Sequence, residues 1–394
     1  MANSIADPPS KWFNPLILQW AREQSAYQME EAERELELDP GTVRTWEEGL
    51  NYPDIEMLRR LSRLYDIPFS YFFLETPPEA PKFIDYRGVP ELRRKKLSRD
   101  TQLALREFRR LSSLAITLQQ VTGQSSQVDI GQAYTHEIPE DVANREANRL
   151  QINSETRKRF LTKEDAYQTW RGIVERLGIF VFSLHMPSSE CRGAAINERD
   201  YATAILVNQN EPATARSFTL FHEYCHLMLS TTTRLMVCDH FPGDTETFSN
   251  RFASSILLPQ DEFIKYLNDK ELSQYREQWP NSILSELARE FSVSRDVVAI
   301  RLEDIELAPS GFYRRKRQQW DKQFRGKGGF GHGGKNKRNY AQEKTGPTFL
   351  STTLSAVRSK IFHPVDAALC IGQVRGGKRP WHVNAKDIES WVKE

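Results

Sequence analysis

The spacing of hydrophobic residues predicts a helical N-terminal domain. Apolar residues fall at helical intervals over 16–21, and a second amphipathic run covers 29–36. Residues 39–42 predict a turn that starts a third helix, and a fourth helix with one apolar face follows over 55–64. Two helices around a tight turn, inside a bundle of five, are typical of a helix-turn-helix domain.

The pattern changes in the middle of the chain. Residues 82–122 predict a basic helical connector, and residues 125–160 are polar with a helical pattern. Short apolar runs rich in β-forming residues at 178–184 and 202–207 predict two strands. Helical patterns then return in three segments, at 218–229, 247–258 and 283–291.

The last part of the chain contains a low-complexity stretch. Six glycines lie between basic residues within 326–334, so residues 311–345 are expected to form a flexible segment. Residues 346–394 contain enough apolar residues for a small helical C-terminal unit. The fold class predicted for the whole chain is α+β, with helices at both ends and a small sheet between them.

Composition narrows the classes of protein that fit this organisation. No apolar run approaches the ~18–20 residues that a membrane-spanning helix needs, and the first residues do not resemble a secretory signal. The four cysteines form no CxxC pair, so neither a disulfide framework nor a cysteine-only zinc site is expected. These features predict a cytoplasmic protein with reduced thiols.

Charge is unevenly distributed, although the net charge is only +1. Residues 14–66 contain six basic and twelve acidic residues, whereas residues 82–110 contain ten basic and four acidic ones. Residues 311–345 are the most basic stretch, with eleven basic and two acidic residues. Such segregation indicates surfaces that could bind a polyanion, although most charge runs are simply solvated.

The sequence His-Glu-Tyr-Cys-His at 222–226 is the strongest chemical signal. On a helix, residues four apart share a face, so His222 and His226 can reach one metal ion with Glu223 beside it. Two imidazoles and a carboxylate suit zinc and leave a fourth position open for water. Glu223 is then the candidate general base of a hydrolase.

A third metal ligand must come from elsewhere in the chain. Glu246, twenty residues beyond His226, begins the next predicted helix and is favoured. The loop between them offers competing donors, namely Cys238, Asp239 and His240. Asn250, one helical turn beyond Glu246, is expected to hydrogen-bond a ligand imidazole. Three side chains could stabilise an oxyanion, and the sequence does not choose among Tyr201, His240 and Tyr266.

Together these segments resemble the ImmA/IrrE family of zinc metallopeptidases. The resemblance rests on ordered signatures at 192–196, 204–208, 218–223, 246–253, 256–259 and 287–302. The N-terminal segment resembles the XRE-type helix-turn-helix that is often fused upstream, through 14–22, 46–49, Pro53 and 72–78. Two positions depart from the family pattern. Phe248 stands where the family often has an acidic residue, and Ser249 stands where it usually has an alanine.

The resemblance implies specific roles for four residues. His222, His226 and Glu246 would bind one zinc ion, and Glu223 would be the general base. It also implies a protein substrate, typically a repressor that the enzyme cleaves.

The expected domains follow from the pattern and the resemblance together. The N-terminal half comprises a helix-turn-helix domain at 12–76 and a basic connector at 77–125. A zincin-like peptidase domain follows at 126–310, then the flexible segment at 311–345 and the helical unit at 346–394.

The helix-turn-helix domain leaves two roles open. Its presumed recognition helix offers Thr42, Arg44 and Thr45 for DNA contacts, but Glu47 and Glu48 would repel phosphates. The domain could therefore bind DNA, or it could dock a related repressor. A regulator or antitoxin-like protein with a purely structural metal site is the alternative to the peptidase, and no membrane partner is expected.

Overall fold

A computed structural model describes most of the chain. The described residues are 13–78 (except 26, 66 and 68), 97–123, 128–229, 235–237, 244–323 (except 276–277) and 336–393 (except 377–378). The chain divides into two compact units, residues 1–106 and 107–394. Among the described helices, none has the length and apolar character needed to cross a lipid bilayer.

The first unit is the predicted helical bundle. Its described residues up to Phe73 form four helices, α1 (Pro15–Gln24), α2 (Met29–Glu35), α3 (Thr42–Glu47) and α4 (Ile55–Tyr65), followed by a 3-10 turn at Phe69–Phe73. Asn14 caps α1 by accepting a hydrogen bond from Leu16 N, and Gly41 takes a positive φ of 87° at the start of α3. The core is formed by residues from every element, including Ile17, Ala32, Val43, Leu61 and Phe72.

A long helix, α5 (Arg99–Thr122), and two shorter ones, α6 (Pro139–Arg149) and α7 (Ser154–Lys158), precede the sheet region. Residues of α5 from Phe108 onward bury an apolar face at Phe108, Leu111, Ala115 and Leu118. The helix expected over 82–122 is found as α5 in the described part of that segment, whereas 125–160 is helical only at α6 and α7 and not at 128–138 or 150–153. Residues 79–96 lie outside the described residues.

The second unit contains a small mixed sheet. Its described strands are β1 (Phe180–Leu184), β2 (Gly193–Ile196), β3 (Ala204–Asn208) and β4 (Leu235–Val237), in the order β1-β3-β2-β4. β1 pairs in parallel with β3, and the other neighbours are antiparallel. Every residue of β1, β2 and β3 is buried, which explains why these strands are continuous apolar runs without alternation.

Helices surround this sheet and create the main core. They are α8 (Lys163–Glu175), α9 (Ala213–Leu229), α10 (Asp244–Leu257), α11 (Gln260–Asp269), α12 (Asn281–Glu290), α13 (Arg295–Asp304) and α14 (Phe312–Gln323). α9 packs on β2 and β3 and also contacts α8 and α10. The predicted α+β class, with a helical N-terminus and a small sheet followed by helices, is confirmed.

The C-terminal unit differs from the predicted one in two respects. It begins before residue 346, since α15 (Lys337–Thr345) shares its core with α16 (Pro347–Arg358), α17 (Pro364–Ile371) and α18 (Ala385–Lys393). It also contains an antiparallel hairpin, β5 (Gln373–Gly376) and β6 (Arg379–His382), so it is not purely helical. The basic and glycine residues of this hairpin gave no apolar alternation from which strands could be predicted.

The expectation of a flexible segment over 311–345 is wrong for α14 and α15. α14 is anchored by the buried side chains of Phe312 and Trp320, which the surrounding basic residues obscure in the sequence. The glycine-rich residues 324–335 lie outside the described residues.

A buried ion pair within α8 attaches the C-terminal unit to that helix. Arg171 donates to Glu175 Oε1 at 3.0 Å and to the carbonyl of Glu343 at 2.9 Å. Glu175 in turn accepts from the backbone N–H of Thr348 at 3.0 Å. Gly346 passes through this corner with a φ of +86°, where a side chain would collide with the Glu175 carboxylate.

Candidate metal centre and helix-turn-helix surface

Helix α9 presents the two histidines of the HExxH sequence on one face. His222 and His226 are one helical turn apart, and both side chains are buried. Their rings are 4.7 Å apart between centroids, and the two Nε2 atoms are separated by 3.0 Å. Both rings therefore direct the same nitrogen to a common point.

Helix α10 brings a carboxylate to that point. Glu246 lies in its first turn, and each carboxylate oxygen faces one imidazole: Oε2 is 3.2 Å from His222 Nε2, and Oε1 is 3.2 Å from His226 Nε2. The three side chains form a group whose ligand atoms could hold a metal ion.

The spacing of these donor atoms fits a tetrahedral ion. Ligands ~2.0–2.1 Å from a tetrahedral zinc are separated from one another by about 3.3 Å. The observed separations of 3.0 to 3.2 Å are close to that value, so little movement would be needed to accept an ion. Three protein donors leave room for one further ligand.

The pKa shifts of Glu246 and His222 also suit a cation. Burial alone would raise the pKa of the Glu246 carboxyl, but hydrogen bonds from His222 and His226 outweigh it and lower that pKa to about 2. Burial lowers the pKa of His222, which favours the neutral imidazole that binds metals. Burial also opposes charging of His226, but Glu246 and Glu223 overcome it and raise its pKa.

Glu223 lies on the sheet side of this group and is fully buried. Strand β2 begins beside it at Gly193, where an added Cβ would come within 2.7 Å of Glu223 Oε1 and 3.0 Å of its Cγ. The Glu223 carboxylate is close enough to His226 to raise the pKa of that imidazole. The sequence places Glu223 beside the metal ligands, but only the fold shows that its side chain occupies the space that Gly193 leaves by lacking a Cβ.

Asn250 lies one turn beyond Glu246 on α10, as expected. Its side chain contacts His222 and acts to raise the pKa of that imidazole through a hydrogen bond. The buried Nδ1 of His222 nevertheless lacks a well-formed hydrogen bond in this arrangement. The neighbouring Ser249 is fully buried and contacts the thiol of Cys225, whose pKa burial raises to about 12.

Polar networks behind the site fix the two helices, and sequence reasoning missed them. On α9, Tyr224 donates to the Glu146 carboxylate and accepts from Arg149 Nη2 at 2.8 Å. On α10, Ser255 donates to Glu140 Oε2 at 2.7 Å, and the buried Arg301 donates to the same hydroxyl at 3.0 Å. These contacts join elements far apart in sequence, so no local pattern could have revealed them.

The proposed DNA contacts lie on the short helix α3. Arg44 is exposed, whereas Thr42 and Thr45 are half-buried. The hydroxyl of Thr42 donates to the carbonyl of Asp39 at 2.7 Å, and that of Thr45 donates to the carbonyl of Thr42 at 2.8 Å. Arg44 is thus the most available of the three for a contact with another molecule.

The acidic residues near α3 are partly neutralised inside the bundle. Glu47 forms a two-pronged ion pair with Arg22, at 2.6 Å to Nε and 2.9 Å to Nη2, and its side chain is 4% exposed. The buried Glu33 accepts from Val43 N at 3.0 Å at the start of α3. The local excess of acidic residues therefore overstates the negative charge that this surface presents.

Two family models match the chain in the regions just described. Residues 174–303 match Peptidase_M78, described as an IrrE N-terminal-like domain, and residues 18–72 match HTH_3, described as a helix-turn-helix. No curated protein matches the chain. The chain therefore combines a domain similar to those of ImmA/IrrE peptidases with a domain similar to XRE-type helix-turn-helix domains.

The match to the peptidase domain contains every element of the metal centre. Strand β2, helix α9 and the start of α10 all lie within residues 174–303. The matched region ends in α13 and includes Arg301, whose guanidinium donates a hydrogen bond to Ser255 on α10. The family resemblance and the geometry therefore concern the same part of the peptidase domain.

Five other candidates from the sequence remain, of which three lie outside the described residues. Cys238, Asp239 and His240 lie outside the described residues. Of the possible oxyanion donors, Tyr201 lies under the Arg109 guanidinium, 5.5 Å from its ring centroid, and Tyr266 packs against Phe291 at 5.2 Å. Neither of these contacts involves the histidine pair.

Proposed function

We propose that the chain is a zinc-dependent endopeptidase that cleaves a partner repressor. The observation that carries this proposal is the convergence of His222, His226 and Glu246, with the buried Glu223 carboxylate beside them. In this proposal the helix-turn-helix domain brings the enzyme to DNA or to its repressor substrate.

Zinc fits the donor set because two neutral imidazoles and one carboxylate are typical of catalytic zinc sites with an open position. When bound, zinc would supply Lewis acidity and lower the pKa of a coordinated water from ~15.7 to about 7. The negative charge of the Glu246 carboxylate would offset part of the positive charge of the zinc ion. The contact of Asn250 with His222 would hold that ring in place.

Glu223 would perform the proton transfers. Its carboxylate would accept a proton from the attacking water and donate it to the amine nitrogen of the departing peptide. Burial against Gly193 limits its freedom, so the proton acceptor is positioned before the substrate arrives. Tyr224 and Ser255 would keep the two site helices at a fixed separation through their buried networks.

A repressor is the proposed substrate class because ImmA/IrrE-like enzymes typically act on such proteins. The attached helix-turn-helix domain supports this choice, since it could bind the same operator or dock a related domain. A DNA-binding regulator with a structural metal is the alternative. Structural zinc sites are usually closed by four protein ligands, whereas the described residues provide three, which favours the enzyme.

The decisive test is zinc-dependent cleavage of a repressor. The zinc-loaded chain should cut at least one member of a panel of purified helix-turn-helix repressors, and mass spectrometry of the new N-termini should locate one preferred bond. Chelation should stop cleavage and added zinc should restore it. Cleavage that continues after complete removal of metal would exclude the proposed chemistry, and an intact panel would exclude the repressor as substrate.

Glu246→Gln should weaken zinc binding by ~10-fold or more, because it removes the only anionic donor of the three. Competition with a fluorescent chelator measures the affinity. Asp244→Asn is a matched control, since Asp244 is exposed and lies in the same first turn of α10. If both variants bind zinc as tightly as the wild type, another residue provides the third ligand.

A further inference from the structure

Helix α14 presents a concentration of positive charge on a rigid support. It contains five basic residues and one acidic residue. Its start is fixed by Glu303, which accepts hydrogen bonds from the N–H groups of Gly311 at 2.7 Å and Tyr313 at 2.8 Å. The indole of Trp320 donates to Asn281 Oδ1 at 3.2 Å. The basic residues at 314–317 therefore lie on a packed helix and not on a solvated linker.

A groove of about 420 Å³ lies between α14 and the turn before α12. Trp279, Pro280 and Phe312 form its apolar walls, and Arg315, Lys316 and Gln319 contribute polar groups. Its volume is sufficient for a phosphate group together with part of a sugar.

Lys316 places a cation in this groove, and within the described part of the chain no carboxylate forms an ion pair with it. Its ammonium donates to the carbonyl of Trp279 at 2.7 Å and to Asn281 Oδ1 at 3.3 Å, and it lies 5.4 Å from the Phe312 ring centroid. An ammonium has three N–H donors, so one remains for a ligand. Burial lowers the pKa of Lys316, as expected for a cation held by neutral acceptors.

Arg314 and Arg315 extend the positive surface along the helix. Both are exposed, and Arg315 Nη1 donates to the carbonyl of Ser310 at 3.1 Å. Among the described residues, neither forms an ion pair with a carboxylate, whereas Arg317 on the same helix is paired with Asp296 at 2.8 Å. Two nearby carboxylates are thus engaged with other donors, Asp296 with Arg317 and Glu303 with the backbone at the start of α14.

We infer that the groove and the exposed arginines of α14 bind the phosphate backbone of DNA, as a second contact surface separate from the helix-turn-helix domain. Guanidinium and ammonium groups are the usual phosphate ligands, and such contacts are independent of base sequence. Arg315 and Lys316 line the groove, whereas the exposed Arg314 lies outside its lining, so the positive charge continues beyond the groove and fits a chain of phosphates better than a single small anion. This inference does not depend on peptidase activity.

The test measures how salt weakens the binding of the full-length chain to a labelled duplex of random sequence. Each phosphate contact contributes about 0.9 to the slope of log K against log salt. Arg314→Ala/Arg315→Ala should therefore lower the slope by about 1.8, so that a fourfold rise in salt weakens the wild type ~12-fold more than the variant. Alanine is the best helix former, so α14 should persist.

Three further variants make the result specific. Lys265→Ala/Lys386→Ala removes two exposed basic residues outside the groove and should leave the slope unchanged. Lys316→Gln removes the charge in the groove but keeps hydrogen-bond donors, and it should lower the slope by about 0.9. Arg44→Ala should leave the contribution of Arg314 and Arg315 intact, because that contribution arises on a different surface.

Two probes separate the possible sources of the ligand. At equal ionic strength, replacing chloride with inorganic phosphate should weaken DNA binding by the wild type more than by the Arg314/Arg315 variant. Equal slopes for that variant and the lysine control, or a wild type that does not bind the duplex at low salt, would overturn the inference. If the Arg314/Arg315 variant lost binding to polyglutamate but kept its binding to DNA, the inference would also be overturned. The groove would then be assigned to an acidic protein.

Discussion

Glu223→Gln is expected to lower kcat for repressor cleavage by roughly 10³-fold while zinc stays bound at the wild-type level. General acid–base groups typically contribute 10²–10⁴-fold to a rate. Glutamine has almost the same shape as glutamate but cannot accept the proton of the attacking water. Because Glu223 is not one of the three converging donors, the metal group should remain intact.

Two measurements keep this prediction distinct from a folding defect. Elemental analysis should give the same zinc content for wild type and variant, and thermal unfolding should give a similar Tm. Glu211→Gln serves as a matched control, since it changes a half-buried carboxylate at the turn before α9. Cleavage at the wild-type rate by Glu223→Gln would show that the proton acceptor is another group.

The metal centre shows which parts of a site a sequence can specify. His222 and His226 were predictable because helical geometry alone places residues four apart on one face. Glu246 was harder to choose, because a loop can bring Asp239 or His240 to the same position as readily as the next helix. The Glu246 carboxylate lies 3.2 Å from the Nε2 atom of each imidazole only because of the way α10 packs on α9.

Charge was the least reliable guide in the sequence. In the sequence, Glu47 argues against DNA binding because it adds negative charge near α3. In the structure, it forms an ion pair with Arg22 inside the bundle. Conversely, the basic residues of α14 indicated a flexible linker, but buried Phe312 and Trp320 make it a packed helix. A count of charged residues does not reveal their partners, and the partners determine which charges remain on the surface.

Strands β2 and β4 were not predicted because they are very short. β2 has four residues, one of which is glycine, and β4 has three. Pairing with β3, and not intrinsic propensity, holds β2 in the sheet. The function of Gly193 was hidden for the same reason, since its contact with Glu223 exists only after strand and helix have packed together.

Gly193→Ala is expected to lower kcat by ~10²-fold with little change in KM or in zinc content. The new methyl would lie 2.7 Å from Glu223 Oε1, so the carboxylate must move away from its position beside the metal ligands. A displacement of about 1 Å at a reacting group can cost ~10²-fold in rate. Gly193 is therefore a positioning residue that acts through Glu223.

The control is Gly172→Ala, because an added Cβ at this position in α8 meets no atom within 4 Å. This substitution should leave kcat unchanged and raise the free energy of unfolding by ~0.5–1 kcal/mol, as expected for alanine in a helix.

A second variant identifies which neighbour matters, since the methyl at position 193 would also collide with Thr219 Cγ2. Adding Thr219→Ser to Gly193→Ala removes that collision but not the one with Glu223. If the double variant regains the wild-type kcat, Thr219 and not Glu223 transmits the effect. If Gly193→Ala also loses zinc, the glycine supports the whole centre instead of placing one carboxylate.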